Sequence, residues 1–198
     1  MSGNPVPPRS LLNIANILTG LRIVAIPLVV VLFFLPYEWS GIAAGLTFAA
    51  AGITDSLDGY YARKYGLNTP LGEFLDPVAD KLIVAVALVL IVSRNPTWWM
   101  TITAAVIIGR EIAISALREW MAEIGARRKV AVSALGKFKT ILQVVGLSML
   151  LYRENILFLP IYELGVVLTV LAAVLTLWSM VAYLRAAWPD LTAGGEGA

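Results

Sequence analysis

Six apolar runs of roughly membrane-spanning length, separated by breaks too short to fold on their own, restrict this chain to a bundle of helices in lipid. The runs cover residues 14–36, 41–60, 71–93, 97–120, 134–152 and 158–185. A stretch of about 20 apolar residues crosses the hydrocarbon as a helix, because lipid offers no partner to an unpaired backbone amide. The predicted fold class is an all-α integral membrane protein of six transmembrane helices around a polar cavity. Hydrophobic residues make up 59% of the 198 and charged residues 14%, with a mean hydropathy of +0.81, which excludes an ordinary soluble domain. A net charge of +2 gives no reason to expect nucleic acid as a partner.

Three of the breaks, Pro36–Trp39, Arg94–Pro96 and Arg153–Asn155, are tight turns that share one membrane face. Most of the basic residues fall on the other face: Arg9, Arg63, Lys64, Arg127, Arg128, Lys129, Lys137, Lys139 and Arg185. The positive-inside rule then sets both termini in the cytoplasm. Residues 1–12 are expected to be disordered or interfacial and 187–198 a disordered tail, with 13–186 as one six-helix catalytic membrane domain and no cleaved signal peptide. Gly41, Gly45, Ala49 and Gly52 form a small-residue ridge on the second run, suited to close helix packing within one subunit or between two.

Four aspartates interrupt this apolar background: Asp55, Asp58, Asp76 and Asp80. A charged residue inside a membrane helix costs roughly 2.5–3.5 kcal/mol, so four together require compensation. Asp55 and Asp58 are three apart, and Asp76 and Asp80 four apart, so each pair shares a helical face. Antiparallel helices joined by a short loop bring the pairs to similar depth. Asp76 and Asp80 lie toward a helix N-terminus, which favours anions, while Asp55 and Asp58 lie toward a C-terminus, which opposes them. A bound cation relieves the second pair.

The chain has neither His nor Cys. Thiol nucleophiles, imidazole bases and the usual zinc ligands are thereby excluded, leaving oxygen ligands suited to magnesium, manganese or calcium. Gly59 and Gly72 clear side chains beside the acids, and Thr69-Pro70 reads as a cap followed by proline in the first helical turn. Pro77 is expected to kink the third helix or to restart it. Single acids in such a segment often face water. Four of them, with two glycines and Ala62-Arg63 at fixed intervals, argue against a solvated loop.

The spacing D-x2-D-G-x2-A-R-x8-G-x3-D-x3-D, carried by Asp55, Asp58, Gly59, Ala62, Arg63, Gly72, Asp76 and Asp80, resembles the signature of the CDP-alcohol phosphotransferases. Asn13–Arg22, Arg110–Glu123 and Gly136–Thr140 are similar to the bacterial branch that makes phosphatidylglycerol phosphate. The resemblance spans Asn13 to about Tyr183 and implies six helices around a cavity open to the cytoplasm of a bacterial inner membrane, commonly in a homodimer. It implies two divalent cations, Mg2+ or Mn2+, held by Asp55, Asp58, Asp76 and Asp80, with Asp80 also the general base. CDP-diacylglycerol would meet Asp58, Gly59, Ala62, Arg63 and Gly72, with Thr19 and Arg22 nearby. The 1-hydroxyl of sn-glycerol 3-phosphate would attack the phosphorus attached to diacylglycerol and release CMP.

Such an acceptor carries a phosphate dianion and requires a second basic cluster. Arg110, set in an apolar run, Arg118 and Lys137 are the candidates, followed by Lys139 and Thr140. Glu111 is an alternative partner for Arg110, and a snorkelling interfacial cation is the alternative for Arg22. Arg127, Arg128 and Lys129 read as a solvated loop touching anionic headgroups. Rival functions are the same chemistry on inositol phosphate, phosphatidylglycerol or serine, a cation transporter, and a non-catalytic scaffold. A transporter would be expected to show repeated halves and acids at mid-membrane, and the chain has neither.

Overall fold

The computed structural model describes residues 14–65, 70–124, 134–156 and 158–193, with side chains at 16–55, 72, 74–124, 138–156 and 158–188. Six α-helices account for nearly all of it: α1 (Ile14–Phe34), α2 (Ser40–Tyr65), α3 (Pro70–Arg94), α4 (Trp98–Glu123), α5 (Ala134–Tyr152) and α6 (Ile161–Ala193). Among the described residues there is no strand, only an isolated bridge between Ile156 and Leu159. Among the described residues, three helical stretches are long and apolar enough by themselves to cross a membrane, Asn16–Phe34, Trp98–Glu123 and Ile161–Trp188.

Local chemistry sets most of the boundaries. α1 stops before Pro36, as the steric restriction on a residue preceding proline dictates. α3 begins at Pro70, where the missing amide hydrogen is of no consequence, and runs unbroken through Pro77 to Arg94. α5 ends as Arg153 takes a left-handed conformation with φ 65°, an end more often made by glycine. α6 continues to Ala193, well into the segment expected from sequence to be a tail.

Two helix triplets organise the bundle. α1 packs on α2 and on α3, while α6 packs on α5 and on α4, and α2–α5, α3–α5 and α3–α4 contacts join the halves. Val29, Phe48, Leu88, Met100, Ile107 and Leu147 lie in the sealed core. The outer surface is equally apolar: Val24, Val31, Leu46, Ile112 and Trp178 all face outward, as side chains against lipid do.

The small-residue ridge of α2 is used inside the chain. A Cβ added at Gly45 would stand 2.7 Å from the Ser148 carbonyl oxygen and 2.8 Å from the Tyr152 amide nitrogen of α5, and one at Gly52 would stand 2.6 Å from Val144 Cγ1. α5 and α6 meet glycine on glycine, since a Cβ at Gly165 would approach the Gly146 carbonyl oxygen to 3.0 Å. At the tight-turn end, Arg94 lies 4.7 Å from the Phe33 ring centroid, and Asn95 Nδ2 donates to the Tyr162 hydroxyl at 2.8 Å.

Candidate active site

The aspartates assemble around α1. Thr19 and Arg22, three residues apart on one face of that helix, are both 1% exposed. The Arg22 guanidinium reaches two other helices at once: Nη2 lies 3.2 Å from Asp55 Oδ1 of α2, and Nη1 donates to Asp80 Oδ1 of α3 at 2.6 Å. The Thr19 hydroxyl donates to Asp76 Oδ1. A buried cation is thus wrapped by carboxylates from both limbs of the α2–α3 hairpin.

Depth is matched as the sequence reading expects. Asp55 lies ten residues before Tyr65, where α2 ends, and Asp80 ten residues after Pro70, where α3 begins, each about 15 Å along its helix. The side chains of Asp55 and Asp80 remain 39% and 41% exposed although their guanidinium partner is sealed. Each therefore has one side tied to Arg22 and another open. A snorkelling cation would show the reverse pattern, so that alternative for Arg22 falls. The sequence reading set Thr19 and Arg22 beside the nucleotide; their described contacts are with the aspartates.

Asp58, Ala62 and Arg63, with Gly59, occupy the last two turns of α2, but their side chains lie outside the described residues, as do Thr69, Lys137 and the triplet Arg127–Lys129. Gly72 is buried in the first turn of α3. Among the described residues no three carboxylates close on a single point. The donor chemistry fits a hard divalent cation all the same: only oxygen ligands are on offer, Asp76 and Asp80 share one face of α3, and the exposed sides of Asp55 and Asp80 remain accessible.

A second polar cluster joins α4, α5 and α6. Arg110, 8% exposed, donates from Nη1 to Glu111 Oε1 at 2.6 Å and from Nη2 to Ser179 Oγ at 3.1 Å. Lys139 of α5, also buried, places Nζ 3.6 Å from the same Glu111 oxygen. One carboxylate therefore bridges two buried cations and leaves the group with a net positive charge. The inward position expected of Arg110 is present, together with the Glu111 pairing weighed against a ligand role.

Arg118 and Thr140 stand apart from that cluster. Arg118 is exposed, eight residues and about 12 Å along α4 from Arg110, and takes no part in the cluster's described contacts. Thr140 is exposed, whereas its neighbour Lys139 is buried. Sequence reasoning missed Ser179. Its signal was the spacing of Thr169, Thr176 and Ser179, which puts three buried hydroxyls on one face of an otherwise apolar helix.

A helical bundle that gathers aspartates of its second and third helices on a buried arginine fits a membrane protein with an acidic polar site, and comparison with known proteins gives the class. The family model for CDP-alcohol phosphatidyltransferase matches residues 12–178, and the chain belongs to that family. Among individual relatives, it is 52% identical over 179 residues to the CDP-diacylglycerol--glycerol-3-phosphate 3-phosphatidyltransferases of Shigella flexneri serotype 5b (strain 8401) and Escherichia coli (strain K12), covering 90% of this chain and 97% of each relative.

Proposed function

We propose that this protein transfers the phosphatidyl group of CDP-diacylglycerol to the 1-hydroxyl of sn-glycerol 3-phosphate, giving phosphatidylglycerol phosphate and CMP. The observation that carries the reading is the convergence of Asp55, Asp76 and Asp80 on Thr19 and Arg22, within the signature spacing. Relatives 52% identical bear the name of this activity.

Asp80 accepts the proton of the acceptor hydroxyl, whose oxygen bonds to the phosphorus that carries diacylglycerol. The bond from that phosphorus to the bridging oxygen breaks, and its electron pair leaves with CMP. Arg22 holds Asp80 and Asp55 in register across three helices, and Thr19 orients Asp76. Asp55, Asp58, Asp76 and Asp80 would hold two divalent cations, Mg2+ or Mn2+, which would supply neutralising charge for the diphosphate and for the departing CMP. Asp58, Gly59, Ala62, Arg63 and Gly72 form the surface for the CDP moiety.

Arg110 and Lys139, with Lys137 at the start of α5, bind the acceptor phosphate; Arg118 and Thr140 belong to its approach. A phosphorylated acceptor is favoured over serine because the cluster keeps a net positive charge deep in the bundle. In this reading all six helices cross the inner membrane of a bacterium as a homodimer, with the site facing the cytoplasm.

The test is CMP release from labelled CDP-diacylglycerol by the purified protein, with glycerol 3-phosphate, inositol phosphate, phosphatidylglycerol and serine as acceptors and the divalent metal varied. Turnover with glycerol 3-phosphate alone supports the assignment. Preference for another alcohol replaces the acceptor but keeps the chemistry.

A further inference from the structure

Ser179 stands on α6, outside the signature and outside Asn13–Arg22, Arg110–Glu123 and Gly136–Thr140. It is buried, and its hydroxyl hydrogen is committed: Oγ donates to the Thr176 carbonyl oxygen at 2.9 Å. A hydroxyl has one donor and two lone pairs, so what remains toward α4 is an acceptor. That acceptor meets Arg110 Nη2 at 3.1 Å in a bond buried at both ends.

The other end of the guanidinium is held by Glu111 at 2.6 Å. Two points fix the rotation of a planar group. The Nε–H edge, buried and without a hydrogen-bond partner, is left over. An arginine side chain carries about 2 kcal/mol of rotamer entropy, so one clamped in advance loses less on forming a bidentate contact with a phosphate.

We propose that Ser179 is a positioning residue for acceptor recognition: with Glu111 it locks the Arg110 guanidinium so that its unused Nε edge is presented to the phosphate monoester of the acceptor. The inference rests on the reading of Arg110 as an acceptor-phosphate ligand. It adds α6 to the site and gives a function to one of the buried hydroxyls of that helix. Glu111 alone leaves the guanidinium free to swing about one contact, whereas the second anchor removes that freedom. Ser179 does not touch substrate; it acts through Arg110.

The experiment measures KM for glycerol 3-phosphate and for CDP-diacylglycerol separately, with melting temperature in parallel, on full-length protein in micelles. Ser179→Ala is expected to raise the glycerol 3-phosphate KM about three- to tenfold, the range that one interhelical hydrogen bond to a charged group supports. The KM for CDP-diacylglycerol should be unchanged, Ser179→Thr should restore most of the loss, and Ser179→Ala should add nothing in an Arg110→Lys background.

A glycerol 3-phosphate KM within twofold of the parent in Ser179→Ala, beside a raised one in Arg110→Lys, overturns the role of Ser179 and leaves the acceptor pocket standing. A rise in both KM values together with a lowered melting temperature makes Ser179 a packing residue and overturns the proposal too. If Arg110→Lys and Arg110→Ala both keep the parent's acceptor KM, the pocket reading itself fails, and Ser179 with it.

Discussion

Arg22 and Asp80, 58 residues apart in sequence, meet at 2.6 Å, and the same guanidinium also lies 3.2 Å from Asp55. The cation is sealed in the bundle and the acids are partly open. Arg22→Ala leaves neighbouring carboxylates without their protein counter-charge. Breaking a fully buried pair costs about 3–5 kcal/mol, and the partial exposure of the acids lowers this to roughly 1–3 kcal/mol. The variant is expected to melt several degrees lower and to lose most CMP release. Arg22→Lys should fall between, since one ammonium cannot reach both acids from two separate nitrogens. A melting temperature equal to the parent's in Arg22→Ala would contradict this.

Asp80→Asn keeps the shape and a hydrogen-bond acceptor for Arg22 while removing the proton acceptor. Turnover is expected to fall by about 10²–10⁴-fold, the usual contribution of a general base, with CDP-diacylglycerol binding retained. Headgroup transfer at the parent rate in this variant would remove Asp80 from the base role.

Glu111 sits between Arg110 and Lys139, at 2.6 Å and 3.6 Å. Replacing it with Gln leaves two buried cations sharing a neutral group. The expected outcome is a loss of about 1–3 kcal/mol in unfolding free energy and a raised KM for glycerol 3-phosphate. Denaturant titration and acceptor kinetics check the two halves separately.

Glycines on α2 and α4 give a paired test of packing. Gly45→Ala forces a methyl to within 2.7–2.8 Å of α5 backbone, and overpacking of this kind costs typically 1–3 kcal/mol. At Gly109 an added Cβ meets nothing within 4 Å, so Gly109→Ala should be neutral or stabilising by up to about 1 kcal/mol through helix propensity. Equal melting temperatures for the two variants would mean that α2 and α5 are not in the contact described.

Much of the fold was legible because the chain punctuates its helices. Pro36, Pro70 and Pro96 mark the ends that the structure has, and four of six helices fall within three residues of the expected runs, while α2 runs an extra turn to Tyr65. α6 was cut short because nothing apolar distinguishes its last turns, yet the helix reaches Ala193. The family, too, was readable from eight fixed positions, since spacing along adjacent helices is itself a geometric statement. Partner choice was not. Nothing in the sequence says that α1 lies against both limbs of the hairpin, so the contacts of Arg22 with Asp55 and Asp80 were not legible there. The spacing of Ser179 with Thr169 and Thr176 marks one face of α6, but hydroxyls in an apolar helix are ordinary, and only the fold brings Ser179 to Arg110. The small-residue ridge was visible, but only the packing of Gly45 and Gly52 on α5 tells which surface uses it.

The guanidinium at position 22 also bears on biogenesis. α2 and α3 carry the four aspartates of the signature, and the helix whose arginine offsets Asp55 and Asp80 is the one synthesised first. As the ribosome delivers the hairpin, the counter-ion is already waiting at the translocon. Moving α1 to the end of the gene by circular permutation would reverse that order and strand the hairpin at the membrane surface, even though every contact of the finished protein stayed the same.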